Sequence, residues 1–190
     1  ATVVARQARN AALRGMRPGD DIVMTKWAAV EGTSILAEDF AARLAALPED
    51  LLSSARAFSK QLSIVPESRI AVQFGASGMH DVTEGGVLGA AWELGYANRC
   101  AVKIDSSKIP VRDETREICA VLGLDPLRLI GSGSLLIACE NGQTLCEALL
   151  AQGIPASVIG RAIEGNVSFT DGETLEEPHA DEIYRLNDPV

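Results

Sequence analysis

Aromatic residues, histidines and long apolar runs are all scarce in this chain of 190 residues. Aromatics make up 4% of the sequence and hydrophobic residues 47%, which predicts a core of alanine, valine, isoleucine and leucine and excludes a wholly disordered chain. No apolar run approaches the ~18–20 residues that a membrane-spanning helix requires. The first residues also lack the basic and apolar regions of a signal peptide. We therefore expect a cytoplasmic protein without a membrane partner.

The cysteines do not form a disulfide or metal-binding pattern. None of the four belongs to a C-x-x-C pair, and neither of the two histidines lies at a ligand spacing from them. Cys119 and Cys139 fall inside apolar patterns, which favours ordinary core packing. The sequence thus predicts reduced thiols and no metal site in this part of the protein.

Basic residues are too few for a nucleic-acid-binding surface. The 17 Lys and Arg against 26 Asp and Glu give a net charge of −9, and the pI is about 4.7. Such a balance argues against binding to a phosphate backbone. However, residues 164–190 hold a net −7 of this charge, which leaves −2 for the first 163 residues. Small phosphate-bearing ligands are therefore not excluded.

Apolar periodicity and breaker residues predict alternating strands and helices in one α/β or α+β domain. No low-complexity linker or internal repeat divides the chain. Residues 75–80 are predicted as a loop and residues 173–190 as an extended edge or tail. The predicted strands span 21–27, 69–74, 99–104, 135–139, 157–162 and 167–170, and the predicted helices span 31–47, 48–60, 81–94, 111–122 and 141–152.

The first candidate site combines two carboxylates with two adjacent glycines. Asp81 and Glu84 have the spacing of a helix capping box, which predicts a helix N-terminus at Asp81. Gly85 and Gly86 cost roughly 1 kcal/mol each in a helix relative to alanine, which indicates a close approach by a ligand or by a neighbouring strand. The carboxylates favour a Mg²⁺-bound phosphate or an amine over a bare phosphate. His80, beside Asp81, is weak support for acid–base chemistry.

The second candidate site is the run Gly131-Ser132-Gly133-Ser134. It is not a dinucleotide fingerprint, because Leu136 occupies the third glycine position and a strand follows instead of a helix. No P-loop motif occurs in the chain. The run is either a plain turn or a loop that presents amides and hydroxyls to an anion.

The third candidate site lies at the end of the first predicted strand. Lys26 can pair with a phosphate or with Glu31, or it can be an ordinary solvated lysine. Thr33 follows within the same segment, Glu31-Gly32-Thr33.

A set of short motifs, each weak alone, occurs in a specific order along the chain. They are RPGDDIVMTK (17–26), EGT (31–33), HDVTEGG (80–86), IPV (109–111), LGLDPL (122–127), GSGSLLI (131–137) and VIG (158–160). Over roughly residues 15–175, this set resembles the C-terminal domain of the AIR synthase-related superfamily. The superfamily includes aminoimidazole ribonucleotide and formylglycinamidine ribonucleotide synthetases, selenophosphate synthetase, thiamine-monophosphate kinase and the hydrogenase maturation protein HypE.

The resemblance implies an α+β fold, with a mixed sheet flanked by helices, in a family that activates an oxygen or similar atom by phosphorylation. ATP and Mg²⁺ would be held mainly by an N-terminal ATP-binding domain at a dimer interface, while the C-terminal domain closes the cleft. We therefore expect a homodimer, a small phosphorylated or phosphate-accepting substrate, and no cofactor in this domain alone. An isolated domain of this kind is expected to be inactive.

The resemblance also implies a division of the chain and a set of site residues. Residues 1–16 would be the remnant of an interdomain connector, 17–172 the domain and 173–190 an acidic C-terminal tail. The residues predicted to face substrate or phosphate are Lys26, Glu31, Thr33, His80, Asp81, Thr83, Glu84, Gly85, Gly86, Gly131, Ser132, Gly133 and Ser134.

The motifs at 109–111 and 122–127 are most similar to the HypE-like branch, yet two features differ from it. Members of that branch end in a cysteine that receives a carbamoyl group, whereas no cysteine follows Cys146 here. They also tend to carry an arginine at the position of Glu84. These differences favour a paralogue with another substrate over hydrogenase maturation. A non-catalytic dimerisation or docking module that uses the acidic tail is a third alternative.

Overall fold

The computed structural model describes residues 13–186 of the chain. The strands are β1 (Asp21–Thr25), β2 (Gly78–Asp81), β3 (Ala101–Ile104), β4 (Leu135–Cys139), β5 (Ala156–Ile163), β6 (Phe169–Thr170) and β7 (Glu173–Thr174). The α-helices are α1 (Val30–Asp39), α2 (Glu49–Arg56), α3 (Val65–Gln73), α4 (Gly86–Asn98), α5 (Asp113–Leu122) and α6 (Gly142–Leu150). In this described part, no helix is both long and apolar enough to cross a membrane.

The strands form one mixed sheet in the order β2-β4-β1-β5-β3-β6-β7. All neighbouring pairs are antiparallel except β3 and β6, which are parallel. The expected fold class, α+β with a mixed sheet flanked by helices, is confirmed. Because β1, β2 and β3 run in the same direction, the loops that follow them meet at one edge of the sheet.

Both faces of the sheet are buried, and β1 shows how its side chains divide between them. Ile22 and Met24 point into a core shared with α4, whereas Val23 points into a second core beneath α3 and α6. This alternation follows from the two-residue period of a strand. A third core lies among α1, α2 and α5, away from the sheet, and is centred on residues such as Leu36 and Ile118.

The predicted strand at 69–74 is wrong, because these residues belong mostly to α3. Pro66 lies in the first turn of that helix, where its missing N–H is not needed. Glu67 and Ala71 are the buried residues of α3, and their four-residue spacing is that of one helix face. The apolar run around Ile70 resembles a strand only when these flanking signals are ignored.

The predicted helix start at Asp81 is also wrong. Residues 78–81 form the edge strand β2, paired with β4, where a loop had been expected up to His80. The helix begins at Gly86, after Gly85, which has a left-handed φ of 79° and is the N-cap residue. The capping box between Asp81 and Glu84 therefore does not form.

The acidic C-terminal segment lies against the domain. Leu175 and Asp181 are 3% and 2% exposed, respectively. Residues 182–186 form a 3-10 turn, in which Ile183 and Leu186 pack against the core of α1, α2 and α5. The described part of the segment predicted as an extended tail thus contributes side chains to the folded domain.

The buried carboxylate of Asp20 links the turn before β1 to the residue before β2 by hydrogen bonds. Asp20 accepts hydrogen bonds from Arg14 Nη2 at 2.7 Å, Ser77 Oγ at 2.7 Å and the Arg17 amide at 3.0 Å. Burial raises the pKa of Asp20, but the bonds from Arg14 and Ser77 outweigh this effect, so the pKa lies below its usual value of 3.8. The carboxylate therefore stabilises the fold above that pH, and this contribution is lost as the pH falls.

We expect Asp20→Asn to lower the free energy of unfolding by about 1–3 kcal/mol at neutral pH, since it weakens charge-assisted hydrogen bonds to a buried group. The difference from the parent should shrink as the pH falls below about 4, because the unfolded parent chain then binds a proton that the native Asp20 carboxylate takes up only at lower pH. Urea denaturation at pH 7 and at about pH 3 measures both values. A difference that is unchanged at the lower pH would contradict the assignment.

Candidate functional site

Two glycine-rich segments and the C-terminal segment meet around a cavity of about 470 Å³. This paired-loop cavity lies at the sheet edge where β2 ends and β4 begins. It is lined by Thr83, Glu84, Gly85, Glu93, Ile130, Ser132, Pro178, His179, Ala180 and Asp181. The structure therefore brings together parts of the first and second predicted sites. It also places residues 178–181 of the C-terminal segment at the cavity, which the motifs did not indicate.

The two adjacent glycines are required by the close approach of other chain segments. A Cβ on Gly86 would lie 2.5 Å from the Leu127 carbonyl oxygen and 2.8 Å from Arg128 Cα. A Cβ on Gly85 would lie 2.8 Å from Pro178 Cβ. Of the two approaches that the sequence left open, a neighbouring chain segment is the one observed, although the segments are loops instead of a strand.

Asp181 is one of the cavity-lining residues that sequence reasoning missed. Its carboxylate accepts hydrogen bonds from the amides of Gly85, at 2.9 Å, and Ile183, at 3.0 Å. Burial raises the pKa of Asp181 despite these bonds, and Glu84 raises it further. Asp181 thus provides the anion at the N-terminus of α4 that the sequence assigned to Asp81. No local signal could have found it, because 96 positions separate it from Gly85.

The remaining polar residues of the first segment lie nearer the surface. Glu84 is exposed and accepts a hydrogen bond from the Tyr184 hydroxyl at 3.1 Å. His80 Nδ1 lies 2.7 Å from the Asp81 carbonyl oxygen, and its Nε2 lies 3.6 Å from a carboxylate oxygen of Glu93. The Asp81 carboxylate is largely solvated, at 59% exposure. Asp81 and His80 lie beside the cavity and do not line it.

In the second segment, Ser132 is the residue that faces the cavity. Gly131 packs against Val82, since a Cβ there would lie 2.7 Å from Val82 Cγ1. The carbonyl of Gly133 accepts a hydrogen bond from Lys26 at 2.6 Å, and the hydroxyl of Ser134 donates one to the Trp27 carbonyl at 2.6 Å. These three neighbours hold the loop in place, and Ser132 lines the cavity.

The ammonium of Lys26, from the third candidate site, points into the protein. It lies 2.6 Å from a carboxylate oxygen of Glu67, and it donates hydrogen bonds to the carbonyls of Gln61, Ser63 and Gly133. Lys26 is 8% exposed and Glu67 is 1% exposed. The partner carboxylate is therefore Glu67, where the sequence had offered Glu31 as one possibility.

The other two residues of the third site lie on α1, away from the paired-loop cavity. Glu31 is in the first turn of α1 and is half-buried. Thr33 is fully buried, with its hydroxyl 2.8 Å from that of Thr115. This bond joins α1 to α5, so the structure places Thr33 in a helix–helix contact.

The carboxylates around the cavity are few as ligands for the expected Mg²⁺. Among residues 13–186, no group of three or more His, Cys, Asp or Glu side chains is arranged to hold a metal ion. Asp181 is already bonded to backbone amides, and Glu84 to Tyr184. The described residues therefore do not form a resident metal centre by themselves.

The sequence matches the family model described as AIR synthase related protein, C-terminal domain, over residues 17–172. A curated relative, carbamoyl dehydratase HypE of Rhodobacter capsulatus, is 31% identical over 160 residues, which are 82% of this chain and 45% of that protein. HypE of Azotobacter vinelandii is 31% identical over 166 residues, with 83% and 46% coverage. The chain thus spans about half the length of these relatives.

Solved structures show the same fold. A crystal structure of E. coli HypE superposes with a TM-score of 0.68 at 24% identity and covers 91% of this chain and 54% of that one. Thiamine-monophosphate kinase of Stenotrophomonas maltophilia K279a gives a TM-score of 0.67 at 20% identity, with 88% and 55% coverage. From the match over residues 17–172 and this shared architecture, we conclude that the chain belongs to the AIR synthase-related family, whose C-terminal domain it contains.

Proposed function

We propose that the chain is the substrate-side domain of an ATP-dependent enzyme and closes a cleft over a small substrate. The observation that carries this proposal is a family match to the C-terminal domain in a chain that spans about half the length of its relatives. ATP and Mg²⁺ bind mainly to a partner domain in this proposal. Related structures support the nucleotide, since one is HypE in complex with ATP and another is AaThiL with AMPPCP and TMP.

The lining of the paired-loop cavity indicates which part of a substrate it would meet. Glu84, Glu93 and Asp181 place three carboxylates around it, and Ser132 adds a hydroxyl. Carboxylates repel a bare phosphate and accept hydrogen bonds from amines and hydroxyls. We therefore infer that this cavity receives an amine or hydroxyl end of the substrate, which the partner domain phosphorylates or joins to a phosphorylated group.

ATP turnover tests whether the chain needs the partner domain for activity. The 190-residue chain and the complete gene product are assayed with Mg²⁺ and ATP. We expect no turnover above buffer for the chain alone and measurable turnover for the complete product. Equal turnover in the two would overturn the proposal.

We expect Ser132→Leu in the complete gene product to lower turnover at least tenfold, because the larger side chain occupies a cavity of about 470 Å³. The melting temperature should change little, since Ser132 is only partly buried and makes no described side-chain hydrogen bond. Ser53→Leu, on the exposed face of α2, is the matched control and should leave turnover within twofold. An equal loss of turnover in both variants would contradict a role for Ser132 in substrate binding.

A HypE-like role in hydrogenase maturation is the second candidate, favoured by the names of the 31%-identical relatives. It would require a cysteine that accepts a carbamoyl group. Burial raises the pKa of Cys119 to about 12 and that of Cys139 to about 11, and it also raises the pKa of Cys146. These thiols are therefore poor nucleophiles at neutral pH. Mass spectrometry that finds no adduct on any cysteine of the complete gene product would remove this candidate.

We expect iodoacetamide to modify Cys119 and Cys139 at least a hundredfold more slowly in the native chain than in unfolded chain at pH 8. Burial limits access to both thiols, and it raises the pKa of Cys119 to about 12 and that of Cys139 to about 11, so few of these thiols are ionised at pH 8. Peptide mapping after timed alkylation gives both rates. Rapid native labelling of either residue would revive the HypE-like candidate.

A further inference from the structure

A second and larger cavity lies at the same sheet edge, on the other side of β1. Its volume is about 850 Å³, within the range of small-molecule sites. It lies between the loop after β3, the start of α5, one face of α6 and the first residues of β5. It shares no lining residue with the paired-loop cavity.

The charge of this second cavity is opposite to that of the chain as a whole. Lys108, Arg112 and Arg116 line it, and Glu147 is the one carboxylate in its lining. Lys26 also lines it but is paired with Glu67. In a chain of net charge −9, this is a local concentration of cations. Such a concentration attracts an anion into the cavity.

The three cations differ in how freely they can meet a ligand. Lys108 lies 3.1 Å from an Asp105 carboxylate oxygen, and Arg112 lies 3.3 Å from one of Glu114. Both pairs are largely exposed on the cation side. Arg116 is exposed and makes no ion pair within residues 13–186. Arg116 is therefore the cation with a free guanidinium at the mouth of the cavity.

Several lining residues of the cavity are apolar. Trp27 lines the cavity, and the Arg112 guanidinium lies over one of its rings, 5.2 Å from the ring centre. Leu150 is 64% exposed at the rim, and Val158 adds a branched aliphatic surface. An aromatic face, an aliphatic rim and adjacent guanidinium groups suit a ligand that is flat and apolar at one end and anionic at the other.

We propose that this cavity binds a small organic anion with a flat apolar body, of the class of aromatic phosphate monoesters. The arginines bind the phosphate oxygens, which match the guanidinium donors in geometry, and the body lies against Trp27 and Leu150. The site is independent of the proposed function, because the residues that form it are absent from the paired-loop cavity.

Phenyl phosphate is a suitable probe, with inorganic phosphate and phenol as its two separate halves. In a Trp92→Phe background, Trp27 is the remaining tryptophan, so its fluorescence reports on this cavity. We expect saturable binding of phenyl phosphate at millimolar concentration or below. Either half alone should bind at least fivefold more weakly.

Arg116→Gln should weaken phenyl phosphate binding about tenfold, in line with the loss of a charge-assisted hydrogen bond. Arg43→Gln, a change at an exposed arginine outside the cavity, should alter binding less than twofold. Both substitutions lie on the surface, and equal melting temperatures would show that both variants fold. No saturable response, or equal binding by the two variants, would overturn the proposal.

Discussion

Replacement of Gly86 by alanine is expected to lower the free energy of unfolding by about 3 kcal/mol or more. The residue has a φ of 63°, a region that costs alanine roughly 1–2 kcal/mol. Its Cβ would also lie 2.5 Å from the Leu127 carbonyl oxygen, a backbone atom that cannot turn aside as a flexible side chain can. Such overpacking typically costs about 1–3 kcal/mol more. For a chain of this size, the melting temperature should fall by roughly 6–12 °C.

Gly123→Ala is the matched control for this prediction. Gly123 also has a left-handed φ, of 70°, but no atom lies within 4 Å of the position its Cβ would take. It should therefore show only the conformational cost, roughly 1–2 kcal/mol. Urea denaturation of both variants separates the two contributions. If both changes cost the same, the contact with the Leu127 carbonyl is not what selects glycine at position 86.

Replacement of Lys26 by methionine is expected to lower the free energy of unfolding by about 3–5 kcal/mol. The change leaves the Glu67 carboxylate buried without its cation, and breaking one side of a buried ion pair is known to cost about that much. One oxygen of Glu67 already has no hydrogen-bond partner among the described residues, so the loss of Lys26 is not compensated there. Three backbone carbonyls lose their donor as well.

A second variant distinguishes the buried charge from simple loss of packing. Lys26→Met combined with Glu67→Gln removes the unpaired carboxylate, so the double variant should be more stable than Lys26→Met alone. Arg161→Met is the exposed counterpart, since Arg161 pairs with Asp21 at 2.8 Å but is 63% exposed. It should cost less than about 1 kcal/mol. A double variant that is no more stable than the single one would show that charge is not the cause.

Elements with a clear local pattern could be predicted from the sequence. Three elements have a signal that lies within a few residues of the element itself: an apolar run in β1, another in β4, and the glycine that ends α5. All three occur close to the predicted positions. The strand prediction at 69–74 was wrong because a short apolar run fits either periodicity. Pro66, three residues before this run, favours the helix, because proline is common in the first turn of a helix.

The site could be predicted only in part, because its partners are distant in the sequence. The segment that ends at Gly85 and the run that contains Ser132 line one cavity, and both are glycine-rich motifs visible in the sequence. The ligands of the Lys26 ammonium lie 35 to 107 positions away, and Asp181 lies 96 positions from the amide it caps. A local pattern holds no information on such pairings, which depend on the folded sheet.

The position of β1 inside the sheet, between β4 and β5, has a consequence for how the chain folds. Asp21, near the beginning of the chain, pairs with Cys139 on one side and Arg161 on the other. On the ribosome, β1 has neither of its neighbouring strands until most of the domain has been synthesised. Its apolar residues remain unpaired during that time. Folding dominated by such distant pairings is slow. The interval before residue 161 emerges is therefore when the nascent chain is most exposed to aggregation.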